Sequence, residues 1–185
     1  MNLSFRRSIG QMFCLFGLAA ALAPTHAALS EGDQAPSFTA QAALAGKPVP
    51  FDLAATLQKG PVVLYFYPAA FTSGCTIEAQ AFAAAIDEFR ELNATVVGVS
   101  GDDIDTLKRF SVEACSSKFT VAADSDHQIM QAYDAAMAMR PGVAERISYV
   151  VSPQGKVIYA LEGVRPHEHV EKTLDALRRW QAQQP

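Results

Sequence analysis

The run Val62, Val63, Leu64, Tyr65, Phe66, Tyr67 constrains this chain more than any other feature. It is six residues long, unbroken by a polar side chain and rich in β-formers. A strand that does not alternate must be buried on both faces, which places it inside a sheet covered from both sides. Pro68 ends it. A second continuous run, residues 95–100 (TVVGVS), repeats the pattern. Between them, residues 75–92 read as a helix with Ile77, Ala81, Ala85, Phe89 and Leu92 on one face. Asp102 or Asp103 caps a further helix that carries Leu107, Phe110 and Ala114 inward. Residues 119–122 form a short strand and 127–134 a short helix, with His127 in its cap. Residues 147–151 and 157–161 flank Ser-Pro-Gln-Gly and make a β-hairpin. Val170, Leu174, Leu177 and Trp180 line a closing amphipathic helix. Residues 28–50 read as a loop-rich lead-in with Pro36, Gly46, Pro48 and Pro50. Alternating strands and helices give a mostly parallel sheet with helices on both faces, and the hairpin makes it mixed. The fold class expected is an α/β, thioredoxin-like sandwich.

Residues 1–27 read differently. Arg6 and Arg7 precede an apolar stretch from about residue 12 to 23, followed by Pro24 and the small-residue site Thr25-His26-Ala27. That is the pattern of a cleavable secretory signal peptide, and the apolar run is short for a transmembrane anchor. The expectation is a signal peptide over 1–27, one domain over 28–185, a periplasmic location and no membrane association after cleavage. Half of the chain is hydrophobic and 18% is charged, which favours a packed core over disorder. A net charge of −4 and dispersed basic residues give no nucleic-acid stripe. No Gly-rich dinucleotide fingerprint is present.

Three cysteines are too few for a disulfide scaffold, and Cys14 lies inside the leader. Cys75 and Cys115 remain, without a Cys-x-x-Cys. Cys75 falls in the first turn of a helix that follows a buried strand. Free N–H groups and the helix dipole favour an anion there, and sites in open α/β sheets form at the carboxyl ends of strands. The bland alternative is a small buried core residue.

The flanking residues decide between these. Pro68, Thr72 and Cys75 stand in a Pro-x-x-x-Thr-x-x-Cys arrangement that resembles the peroxidatic motif of the peroxiredoxin family. The following Thr-x-Glu, and Glu145 to Val151 (ERISYVV), resemble its bacterioferritin-comigratory or Q-type branch. The resemblance covers essentially all of residues 32–185. It implies a peroxidase in which Cys75 is the peroxidatic cysteine, Thr72 holds the peroxide, Arg146 stabilises charge as the O–O bond breaks, and Pro68 shields the thiolate. Glu78 either orients Arg146 or simply complements the helix dipole. Many Q-type members have a resolving cysteine five residues after the peroxidatic one. Gln80 stands there. Cys115 is the candidate resolver, the alternative being an inert cysteine in a one-Cys enzyme. The resemblance implies a hydroperoxide substrate, a thioredoxin-like electron donor, no bound metal, haem or flavin, and a monomer or weak dimer. The rival readings are a thiol–disulfide oxidoreductase and a non-catalytic binding or holdase protein on the same fold. His167 and His169 lack the further ligands a metal needs and read as a solvated helix start. Met137 and Met139, in a loop before Pro141-Gly142, are candidates for lining the substrate entrance.

Overall fold

The computed structural model describes residues 28–184. The signal peptide expected over 1–27 lies outside them. In chain order the elements are β1 (Thr39–Leu44), β2 (Lys47–Asp52), α1 (Leu53–Leu57), β3 (Val62–Phe66), α2 (Ser73–Ala84), α3 (Ile86–Glu91), β4 (Thr95–Ser100), α4 (Ile104–Glu113), β5 (Thr120–Ala123), α5 (Gln128–Ala132), β6 (Ala136–Met137), β7 (Arg140–Ala144), β8 (Ile147–Val151), β9 (Val157–Glu162) and α6 (Pro166–Gln181).

Seven strands form one sheet in the order β2-β1-β5-β4-β3-β8-β9. β3, β4 and β5 run parallel, while β1, β2, β8 and β9 join antiparallel. The sheet is therefore mixed, as expected, and β3 and β4 occupy its interior. Every residue of β3 is buried. Its side chains divide by parity. Val63 and Tyr65 join a cluster with Phe82 and Phe89, and with Leu107, Phe110, Val170, Leu174 and Leu177 of α4 and α6. Val62, Leu64 and Phe66 point the other way, toward Leu53, Leu57, Ile129, Met130 and Tyr133. Helices cover both faces. Each large apolar side chain buried in this way contributes about 1.5–3 kcal/mol. Tyr65 stacks on Phe82 at 4.5 Å between ring centroids, which fixes α2 against β3.

Three expectations need correction. Residues 28–50 are not simply a lead-in, because they hold β1 and the start of β2. Ala45 and Gly46, both at positive φ, make the two-residue turn that suits a hairpin. Pro48 and Pro50 obscured β2, but β2 is an edge strand, where a missing N–H costs nothing. The helix expected over 75–92 is two helices that break at Ala85, whose φ and ψ of −90° and 4° leave the helical region. Its buried face is also different: Cys75, Glu78, Ala79, Phe82 and Ala83 point inward, while Ile77 is exposed. Apolar residues surround α2 on all sides, so spacing alone cannot choose a face. Lastly, residues 136–144 form a small separate hairpin, β6–β7. α1 has no counterpart among the expected elements, and the other strands and helices fall within a few residues of their expected positions. Among the described residues no helix is long and apolar enough to cross a membrane.

Candidate active site

The site lies where β3 hands over to α2. Tyr67 extends the strand by bonding Val99 O through its N–H (3.1 Å). Pro68 then turns the chain out of the sheet. Residues 69–72 are held from below by Asp102, whose Oδ2 accepts from Ala70 N and from Ser100 Oγ, both at 2.7 Å. Asp103, not Asp102, caps α4, accepting from Thr106 N. The two adjacent aspartates thus have separate tasks, and the loop tie was not visible from spacing. Phe71 adopts φ 64°, unusual for an aromatic residue. Its ring is held edge-on to Phe110 at 5.2 Å, under the Arg109 guanidinium.

Thr72 is the N-cap of α2, but its side chain does not cap. Its hydroxyl donates to Ala69 O at 3.0 Å. The oxygen lone pairs remain able to accept a hydrogen bond from a ligand. Cys75, the third residue of the helix, is 1% exposed. The first-turn N–H groups have no intrahelical partners and favour negative charge on this side of the helix.

Arg146 arrives from the start of β8. Its Nη2 lies 3.4 Å from Cys75 Sγ, and its Nη1 donates to Glu78 Oε2. Gly74 leaves room for this approach, since a Cβ there would stand 3.2 Å from Nη2. One guanidinium therefore bridges thiol and carboxyl. Glu78 is fully buried, one turn after Cys75. Burial pushes its carboxyl up to about 8, against the pull of Arg146. Of the two roles left open for Glu78, the geometry gives it the contact with Arg146. Pro68, Met137, Glu145, Arg146, Gly163 and Val164 line a cavity of about 210 Å³ beside the guanidinium. Met137 is at this opening. Met139 is not, and stands in solvent at 93% exposure. A larger groove of about 720 Å³, lined by Phe38, Asp103, Ile129 and Tyr133, contains none of the expected site residues.

Cys115 follows α4 and is fully buried in the same apolar cluster as Cys75. Both thiols are free. Burial pushes the Cys115 thiol well above its usual range. Tyr65 and Tyr67 belong to the same buried cluster as both sulfurs.

The histidine expectation is overturned for one residue. His169 does not sit at a solvated helix start, because it is fully buried. Its Nδ1 meets Ser148 Oγ at 2.8 Å and its Nε2 meets Gly163 O at 2.9 Å. A turn of helix faces both solvent and core, and His167 took the solvent side. His127 is the N-cap of α5 but makes no side-chain cap. Asp124 does so instead, accepting from Ile129 N and Met130 N.

The chain matches the AhpC/TSA family over residues 31–160. It is 31% identical over 151 residues to the chloroplastic peroxiredoxin Q of Oryza sativa subsp. japonica, covering 81% of this chain and 67% of that protein. The crystal structure of peroxidoxin BcpB from Mycobacterium tuberculosis superposes with a TM-score of 0.73 at 28% identity, over 80% of this chain and 96% of that one. Peroxiredoxin Q of Xanthomonas campestris superposes with a TM-score of 0.66 at 29% identity, over 75% and 89%.

Proposed function

The chain belongs to the AhpC/TSA family, in its bacterioferritin-comigratory or peroxiredoxin Q branch, and from that premise we propose that it reduces hydrogen peroxide and small organic hydroperoxides through Cys75. Membership implies a thiol-dependent peroxidase. The observation that carries the assignment to Cys75 is the Arg146 contact at 3.4 Å to a sulfur in the first turn of α2.

The Cys75 thiolate attacks the distal peroxide oxygen. An S–O bond forms, the O–O bond breaks, and the leaving oxide takes a proton to become water or alcohol. Negative charge moves from sulfur to the leaving oxygen. Donors fixed where that charge develops lower the barrier more than they stabilise bound peroxide. Arg146 is such a donor, Thr72 holds the peroxide, and Pro68 keeps bulk water off the sulfur. The product is a sulfenic acid on Cys75. The Cys115 thiol then displaces its oxygen as water and forms a disulfide. Both cysteines are buried, so this step requires the turn of α2 at Cys75 and the segment at Cys115 to open. A thioredoxin-like dithiol donor returns the disulfide to thiols. The pattern of residues 1–27 supports export, so the donor would be a periplasmic one.

Intact mass of the reduced protein after one equivalent of hydrogen peroxide tests the scheme, with Cys115→Ser beside the wild type. A loss of two hydrogens in the wild type, and a trappable sulfenic acid only in the variant, is the result expected. A stable sulfenic acid in the wild type would remove Cys115 from the mechanism. No reaction in either protein would overturn the role of Cys75. Fractionation of cells expressing the full chain tests export.

A further inference from the structure

The cavity beside the Arg146 guanidinium has walls of two kinds. Pro68, Met137 and Val164 give it an apolar side, and Glu145 and Glu162 add two carboxylates. Strand register brings these residues together. Ile147 of β8 pairs with Glu162 of β9, and Gly163 N donates to Arg146 O at 3.2 Å. The two strand ends therefore carry Glu145 and Glu162 to the same mouth. Glu145 N also donates to Ala135 O at 2.7 Å, which brings β6 and Met137 to that cavity.

The charges at this mouth do not balance. Glu162 is exposed and Glu145 half-buried. Among the described residues neither makes an ion pair or a side-chain hydrogen bond. The cation of the lining is Arg146, which already faces Glu78. Arg165 pairs with Glu168, and Arg140, outside the lining, donates to Met137 Sδ at 3.6 Å. The lining itself thus carries two negative charges against one positive. The chain as a whole is also acidic, at a net −4. A neutral molecule meets the apolar walls at no electrostatic cost. An anion meets like charge before it reaches Arg146.

We propose that Glu145 and Glu162 are specificity-determining residues that make the Cys75 site select neutral hydroperoxides over hydroperoxides carrying a carboxylate, with a short alkyl group seated against Pro68, Met137 and Val164. This rests on the reading of Cys75 as the peroxide-reactive thiol. The cavity, at about 210 Å³, has room for a small alkyl group and buries it against apolar side chains. The O–O end is the same in both kinds of substrate, so the bonds made and broken at sulfur do not change. Selection acts on entry and binding. A unit charge acting through solvent at this range changes the rate for an anion about twofold, so two carboxylates together give about fivefold. Salt screens the effect, because both carboxylates are reached by solvent.

A matched pair of probes tests this: 4-hydroperoxy-4-methylpentanoate and its methyl ester, which differ in charge and little in shape. The second-order rate of Cys75 oxidation is read for each by quenched intact mass at neutral pH and low salt, with hydrogen peroxide as a third, neutral oxidant. The wild type should prefer the ester about fivefold, and high salt should bring the ratio below about twofold. In a variant carrying both Glu145→Gln and Glu162→Gln the ratio should approach one at low salt, because the rate for the carboxylate rises. Each rate is compared with the ester rate of the same protein, so a general loss of activity cancels. A wild-type ratio within about twofold at low salt, or a ratio that survives in the double variant, would overturn the proposal. So would a wild type that consumes hydrogen peroxide and neither organic probe. A wild type that consumes none of the three would instead overturn the reading of Cys75, and the proposal with it.

Discussion

In the proposed cycle, resolution of the Cys75 sulfenic acid by Cys115 competes with its further oxidation by a second peroxide, and Lys118 is positioned to set the balance. Cys115 is buried and its thiol is pushed up, so it can neither ionise nor reach Cys75 until its segment opens. That segment is strained and pinned. Ser116 and Ser117 both adopt left-handed backbone, at φ 51° and 59°, each costing about 1 kcal/mol or more without glycine. The pin is Lys118, whose Nζ donates to Ala83 O at 2.9 Å in the last turn of α2, while Arg90 Nη2 donates to Lys118 O at 3.3 Å. Lys118→Met deletes the first of these bonds. It is partly exposed, so about 1 kcal/mol is the fitting magnitude, which opens the segment about fivefold more often. The assay is the peroxide concentration at which half of Cys75 becomes sulfinic acid, read by intact mass. It should rise about fivefold, because disulfide formation wins more often. Lys118 touches none of Cys75, Arg146 or Glu78, so the rate of the first oxidation should not change. Ser117→Gly relieves strain in the closed form and should move the midpoint the other way. A Lys118→Met midpoint within twofold of wild type, or a glycine variant that shifts in the same direction, would refute the argument.

Arg146→Lys keeps the charge but cannot hold Glu78 and Cys75 with two separate nitrogens. The loss of one charged hydrogen bond, about 1.5–3 kcal/mol, should slow peroxide consumption in excess dithiothreitol by about 10- to 150-fold; a loss under threefold would show that the fork geometry is immaterial. Asp102→Ala strands the Ala70 N–H and the Ser100 hydroxyl and should cost about 2 kcal/mol in urea unfolding, with Asp102→Asn, which keeps an acceptor, costing about half as much. Equal losses in the two variants would contradict the acceptor role. Glu78 titrates near 8 when folded and near 4.5 when unfolded, so the native state binds more protons between those values. Its contribution to stability is fully present below pH 4.5 and is lost as pH rises toward 8, by roughly 1.4 kcal/mol per unit at most. Thermal melts should show this slope in the wild type and not in Glu78→Gln; parallel slopes would count against the raised carboxyl. Gly98→Ala would place a Cβ 2.7 Å from Tyr65 Cζ in a filled core and should lower stability by about 1–3 kcal/mol in the same melts.

The elements that were legible in the sequence are those whose burial leaves a one-dimensional trace. β3, β4 and β8 are continuous β-prone runs, and a strand covered on both faces has no other composition available. The inward faces of α4 and α6 were legible because their opposite faces are charged. α2 was not. Its residues SGCTIEAQAFAA are apolar or small on every side, and its buried set includes a glutamate. The side it buries is decided by Arg146 and Tyr65, which lie elsewhere in the chain.

The same division runs through the site. A motif can mark Thr72 and Cys75 because one turn and the helix after it hold them together. It cannot show that a guanidinium 71 residues away lies against the thiol, since that contact exists only once β8 pairs with β3. His169 is a harder case. A histidine in a polar helix start has the composition of a solvated residue, and only the docking of α6 onto β8 and α2 turns that position inward. Once there, it needs a partner for each ring nitrogen, and the fold supplies Gly163 and Ser148. A buried histidine with both nitrogens satisfied is a structural residue in most settings. Here its Nδ1 also lies 3.9 Å from Oε1 of Glu78, the carboxyl that holds Arg146, so the helix that buries this histidine also borders the site.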